Sequence, residues 1–230
     1  DDYQTDSHTG WMPDRHRSDH QPRYDEVSAL PPSLRQAIRA FVLASAARSA
    51  RGQERQHKSM LIHVTRLTSV QARVHEQVRE ELESLRRRWA LAGDQTEQEL
   101  KQLWETDFVP TSRAYGPETT IPPWSGVSSC ISDILDRLEV RMINNTSRDV
   151  LAYEEHRNTG FHVIAIGGDK LSRGLTLEGL TVSYFLRASK MYDTLMQMGR
   201  WFGYRPDYED LCRLYLTEEL SEWFGHITDA

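Results

Sequence analysis

Arg200 and Arg205 stand on either side of Trp201-Phe-Gly-Tyr204, just after a run from Met191 to Gly199 whose apolar residues have helical spacing. A guanidinium presents a fixed fork of donors and keeps its charge at any accessible pH, which suits it to charge developing on a transferred phosphoryl group. The same two side chains at a helix end also serve simply to cap its last carbonyls. What favours chemistry is a second polar segment upstream, Asp169 to Glu178, in which Ser172-Arg173-Gly174 and Thr176 offer hydroxyls, a third guanidinium and a glycine. Together the two segments have the makings of a surface that handles phosphate and nucleic acid.

The elements around them must hold these segments in place. Phe161-His-Val-Ile-Ala-Ile166 is a short apolar run broken by Gly167-Gly168, and Thr181 to Leu186 is another, so the pattern reads strand, glycine turn, polar loop, strand. Leu211 to Leu216 returns as a third strand after the arginine-bearing turn.

Arg173-Gly174-Leu175 after a strand, followed by Gly199-Arg200 and Gly203-Tyr204-Arg205, resembles motifs V and VI of superfamily 2 helicases. The nearer resemblance is to the Z-one domain, a helicase-associated family that carries an endonuclease label, and it covers almost the whole chain. Ile166 to Leu180, Met191 to Arg205 and Ser59-Met-Leu-Ile-His-Val64 carry it. The resemblance implies a RecA-like second lobe acting on nucleic acid, DNA by expectation, in a bacterial DNA-processing or phage-defence setting. It assigns Arg200 and Arg205 as arginine fingers, Gly174, Thr176 and Gln197 to the nucleotide, and Ser172, Arg173 and His63 to nucleic acid. ATP and Mg2+ are the implied cofactors, bound only with a first RecA-like lobe that supplies the phosphate loop. A nuclease partner or domain is a further implied association.

Three departures qualify that reading. Thr176 stands where motif V usually has an acidic residue, Trp201-Phe202 puts one residue more than usual between the glycines of motif VI, and the chain has neither a G-x-x-x-x-G-K-[ST] phosphate loop nor an Asp-Glu box.

The 230 residues, 38% hydrophobic, suffice for one large domain or for one domain with a substantial insertion. A net charge of −6 argues against a surface that is basic throughout and leaves room only for a local basic face. No apolar run approaches a membrane span and no signal-peptide pattern occurs, so the expectation is a cytoplasmic protein without membrane contact. Cys130 and Cys212 lie in apolar patterns and read as buried free thiols. His8, His16 and His20 lack the tight spacing of metal ligands, and no metal site is assigned.

Residues 1–32 read as an extended lead-in whose apolar cluster is Trp11-Met-Pro13, and residues 33–230 as the lobe. A first helix starts after Pro31-Pro32 with Ser33 and Gln36 as a capping box, and the basic residues Arg35, Arg39, Arg48, Arg51, Arg55 and Lys58 read as a solvated face, with a phosphate-backbone track as the alternative. Ser59 to Val64 is a buried strand. Thr68 and Gln71 form a second capping box for a helix carrying Val70, Val74, Val78, Leu82 and Leu85, and Asp94 with Glu97 opens a shorter one. Arg86-Arg87-Arg88, near the long helix's end, reads as a dipole complement or a phosphate contact. Prolines and a glycine between Phe108 and Trp124 predict an irregular connection, making about 70–124 a helical insertion. A helix with Val127, Ile131, Ile134, Leu135 and Leu138 leads into a strand at Val140 to Ile143; Leu151 to Tyr153 reads as a short strand, and Leu220 to Ile227 as a closing helix.

The expected fold is therefore α/β, a mostly parallel RecA-like sheet flanked by helices, with the working edge at the strands' C-terminal ends. Two other function classes stand beside the helicase-like lobe. A metal-dependent endonuclease would use Asp14 and Glu139-Val-Arg141 as a remote counterpart of an Asp…Glu-x-Lys core, with Arg141 in place of the lysine. An inert docking lobe would use no chemistry at all.

Overall fold

The computed structural model describes residues 10–13, 15–92, 94–143, 153–168, 177–186 and 207–217. The chain runs α1 (Pro32–Ala50), β1 (Lys58–His63), α2 (Thr68–Ala92), α3 (Asp94–Leu103), a π-helical turn (Trp104–Phe108), α4 (Val109–Tyr115), α5 (Trp124–Arg137), β2 (Leu138–Ile143), β3 (His162–Gly167), β4 (Leu180–Phe185), a 3-10 turn (Glu209–Leu211) and β5 (Arg213–Tyr215). The five strands form one sheet in the order β2-β3-β1-β4-β5, and every neighbouring pair is parallel. The expected α/β class, a parallel sheet flanked by helices, is what the chain adopts.

Why the central strands read as unbroken apolar runs follows from burial on both faces. Met60 and Ile62 of β1, Ile164 and Ile166 of β3, and Val182 and Tyr184 of β4 pack into the core that also holds α1, α2 and α5. Leu61, Val163, Ala165 and Phe185 alternate with these and pack on the opposite face with Tyr153, Phe161, Leu177 and Leu180, the last at the irregular start of β4. α1 is buried on nearly all sides from Leu34 to Ser49, and its alanines let it lie close to α5 and β4. In α2 the expected stripe Val70, Val74, Val78, Leu82 and Leu85 is buried.

Several local expectations give way to tertiary contacts. Pro31 precedes α1 as its cap, without a side-chain hydrogen bond, because Ser33 instead meets the Tyr184 hydroxyl at 2.7 Å. Gln71 donates to the Thr65 carbonyl at 2.9 Å rather than closing a box with Thr68, and Glu97 accepts from the Trp124 indole at 3.0 Å. Residues 109–115, expected to be irregular, form α4, which continues without a break from the π-helical turn, with Pro110 at the junction where the i−5 pattern of Val109 N–H to Trp104 O gives way to α-helix. Gly167 belongs to β3, so the strand runs one residue further than its apolar pattern. Of the short strand expected at Leu151 to Tyr153, Tyr153 lies in a turn, and the two residues before it are outside the described residues. Cys130 and Cys212 are free, as expected, but only half-buried.

The edge strand β2 exposes no open row of carbonyls to a passing strand. Arg86 of α2 donates to Leu138 O at 2.7 Å and to Leu135 O at 2.8 Å, and His75 donates to Val140 O at 3.2 Å. This protects an edge that would otherwise invite pairing with another chain, and it accounts for Arg86 without any phosphate.

Candidate functional site at the C-terminal edge of the sheet

β1 sends the chain towards β2 at one side of the sheet, whereas β4 sends it towards β5 at the other. The adjacent ends of β1 and β4 therefore mark the point where connections diverge, the place where open parallel sheets take their ligands. His63 ends β1 there, 2% exposed, with its ring 5.8 Å from that of Phe185 at the end of β4. Leu186 N–H donates to His63 O at 3.3 Å and continues the pairing to the edge.

The two polar segments singled out in the sequence both leave from this edge: 169–176 follows Gly168 after β3, and 187–206 follows Leu186 after β4. Ser172, Arg173, Gly174, Thr176, Gln197, Arg200 and Arg205 lie outside the described residues, as do the helix expected from Met191 and the closing helix from Leu220. His63 is thus the one assigned residue whose side chain is described, and it is packed against Phe185 beneath the edge.

The entry to the first segment is held tightly. A Cβ on Gly168 would lie 2.7 Å from Gln71 Nε2, 3.1 Å from Arg66 Cα and 3.2 Å from Thr65 O, so a side chain there would crowd the β1–α2 connection against which β3 ends. Thr65 is itself organised: its hydroxyl accepts Leu67 N–H at 3.1 Å and donates to His16 Nε2 at 2.7 Å, while His16 Nδ1 donates to Pro13 O at 2.6 Å. Sequence reasoning passed over Thr65 and His16 as site-forming residues, and only the long-range hydrogen bond reveals them.

The opposite, N-terminal edge is built for support. The C-terminal end of the face of α1 expected to be solvated turns inward there. Arg48, 2% exposed, donates to Gln53 Oε1 at 2.8 Å, His57 O at 2.9 Å and Gly179 O at 3.2 Å, and its guanidinium lies 3.9 Å from the Tyr208 ring centroid. Gly179 has φ +67, and a side chain there would strike His57 O, so this crossing needs glycine. Arg51 pairs with Asp210, and Arg39 lies 3.5 Å from Glu99. Of the six residues expected to share one solvated face, Arg48, Arg51 and Lys58 are internal ties, Arg39 is half-buried beside Glu99, and Arg35 and Arg55 keep the expected solvent contact.

Lys58 is fully buried, with Nζ 3.0 Å from Gln53 O, 3.2 Å from Glu54 O and 3.2 Å from His162 Nε2. Burial, reinforced by the charges of Arg48 and Arg137, pushes the Lys58 ammonium down to about 7; burial and the neighbouring Lys58 push His162 down to about 2. A lysine that binds its proton more weakly folded than unfolded penalises the folded state while charged. The penalty is complete below about pH 7 and is relieved as the pH rises towards the ordinary value of 10.5. The denaturation midpoint of the protein should accordingly rise with pH across that window, and Lys58→Met should remove the rise. Parallel pH profiles for the two proteins would show that Lys58 has no such role.

For the nuclease alternative, Glu139 Oε2 is engaged by Arg141 at 2.6 Å and 2.9 Å, and Asp14 lies outside the described residues. Among the described residues no group of three or more His, Cys, Asp or Glu side chains is arranged to hold a metal ion. No described helix is long and apolar enough to cross a membrane.

Searches of the curated proteins and of the solved structures found no match. The Z1 (Z-one) domain model matches residues 33–230, which include every strand of the sheet and both polar segments, and the chain belongs to the Z1 domain family.

Proposed function

We propose that this chain is the second, RecA-like lobe of a helicase-like or translocase-like ATPase that acts on nucleic acid. The observation that carries the reading is the all-parallel sheet from whose C-terminal edge the segments 169–176 and 187–206 both depart, next to the divergence of β1 and β4. In this reading Arg200 and Arg205 stabilise charge on the phosphoryl group being transferred, and Gly174, Thr176 and Gln197 line the nucleotide. Ser172 and Arg173 hold the nucleic-acid backbone, and His63 supports that surface from beneath. A first RecA-like lobe supplies the phosphate loop, with ATP and Mg2+ bound between the two. The Gly168 contact with Thr65, Arg66 and Gln71 gives the Ser172-Arg173 segment a rigid point of departure.

The test is direct. The purified 230-residue chain binds nucleotide weakly and hydrolyses none, since it has no phosphate loop, and turnover appears only when a phosphate-loop lobe is present. ATP turnover by the chain alone, abolished by Arg200→Ala, would sink the divided-site reading.

A further inference from the structure

The N-terminal segment before α1 lies outside the family match, yet it is bound closely to the fold. Trp11 is 1% exposed in the main core, and its indole donates to Gln77 Oε1 at 3.0 Å. Arg73 of α2 donates to Ser18 O at 3.0 Å and His20 O at 2.6 Å, and Ser69 donates to Ser18 O at 2.6 Å. His20 Nε2 donates to Trp11 O at 3.0 Å, and His16 meets Thr65 at 2.7 Å. The segment is thus a pinned strap across the start of α2, reaching the C-terminal edge of the sheet at Thr65.

Arg15 and Arg17 flank the anchored His16, and Arg66 follows Thr65. All three are exposed and, among the described residues, make no ion pair or side-chain hydrogen bond; Arg23, Arg55, Arg87 and Arg113 share that state, but Arg15, Arg17 and Arg66 are the ones brought to the Thr65 end of the sheet by the His16–Thr65 hydrogen bond. Asp19, the nearest described acid on the strap, pairs with none of them. In a chain of net charge −6, attraction of a polyanion has to come from a local cluster rather than from the whole surface. Fixing the strap backbone in advance lowers the ordering cost when its arginines meet a ligand.

We propose that the strap forms a phosphate-backbone binding site for nucleic acid, in which Arg15 and Arg17, beside Arg66, extend the edge surface beyond the family's own residues. It rests on the reading that nucleic acid is the ligand. The arginines contact phosphates and not base edges, so they add affinity and salt dependence without sequence preference.

The experiment measures binding of a fluorescein-labelled single strand of roughly thirty nucleotides to the protein by anisotropy, across a salt series. Arg15→Ala with Arg17→Ala should make the slope of log K against log salt shallower by about 1.4 for two lost contacts. If the curves meet near 1 M salt, that corresponds to a loss of tens of fold at about 50 mM. Arg157→Ala, an exposed arginine at the opposite edge, should leave both slope and affinity unchanged. If wild type binds and the double variant keeps its slope, or Arg157→Ala weakens binding equally, the strap site is wrong while the nucleic-acid reading stands. If wild type shows no binding, both fall.

Discussion

Replacing Arg200 or Arg205 by alanine in the proposed two-lobe ATPase should lower nucleic-acid-stimulated ATP turnover by about three to five orders of magnitude, the usual worth of an arginine finger. The melting temperature should barely move. The sequence pattern around Gly203 reads as an exposed turn after a helix, and removing a surface charge usually changes stability by less than about 0.5 kcal/mol. Lysine at either position should rescue poorly, because a point charge does not reproduce a bidentate fork. Nucleotide affinity should fall far less than turnover if the arginines act on the transition state. Near-normal turnover in both alanine variants, or loss that merely tracks unfolding, would transfer the weight to the inert docking lobe.

Asp210→Asn should produce the largest loss of stability available from a single polar substitution among the described residues, about 3–5 kcal/mol. Asp210 is 3% exposed and receives Arg51 through both oxygens, at 2.8 Å and 2.6 Å, while the Ser112 hydroxyl donates to the second. Arg51 follows the end of α1, Ser112 lies in α4 and Asp210 itself in the 3-10 turn before β5, so one carboxylate ties three parts of the chain. Asparagine keeps the shape but leaves the Arg51 guanidinium buried beside a neutral amide. Burial alone would raise the Asp210 carboxyl, but the Arg51 and Ser112 hydrogen bonds win and hold it below its ordinary 3.8. Its stabilisation is therefore fully present above about pH 3.8 and disappears as pH falls through the lower folded value. Chemical denaturation of Asp210→Asn beside wild type at neutral pH measures the effect. A loss under about 1 kcal/mol would mean that water or a neighbouring group compensates the arginine.

The π-helical turn contributes a second tie to the same region. Asp107 receives Arg213 of β5 at 3.0 Å, and the Arg213 guanidinium lies 4.1 Å from the Phe108 ring centroid. The helices of the expected insertion are thereby joined to the last described strand. Arg213 and Asp107 are 106 residues apart, a pairing that no local pattern announces.

The sequence by itself determined the sheet's strands and their burial. Ser59–Val64, Phe161–Ile166 and Thr181–Leu186 are apolar without alternation, the composition that a parallel strand needs when both faces are covered, and β1, β3 and β4 lie there. The stripes of α2 and α5 were equally readable, because helical periodicity is a property of neighbours three and four residues apart. The order of glycines, arginines and hydroxyls from Gly168 to Arg205 was also written in the chain, and it carries the proposed chemistry. Tertiary structure alone decided where the polar residues went. Ser33 turned from capping to Tyr184, Arg48 and Arg51 turned inward to Gly179 and Asp210, and His16 reached Thr65, since each hydrogen bond spans 49 residues or more. A buried donor takes whichever acceptor the packed core presents to it, and that acceptor is chosen by the fold and not by the donor's neighbours in sequence.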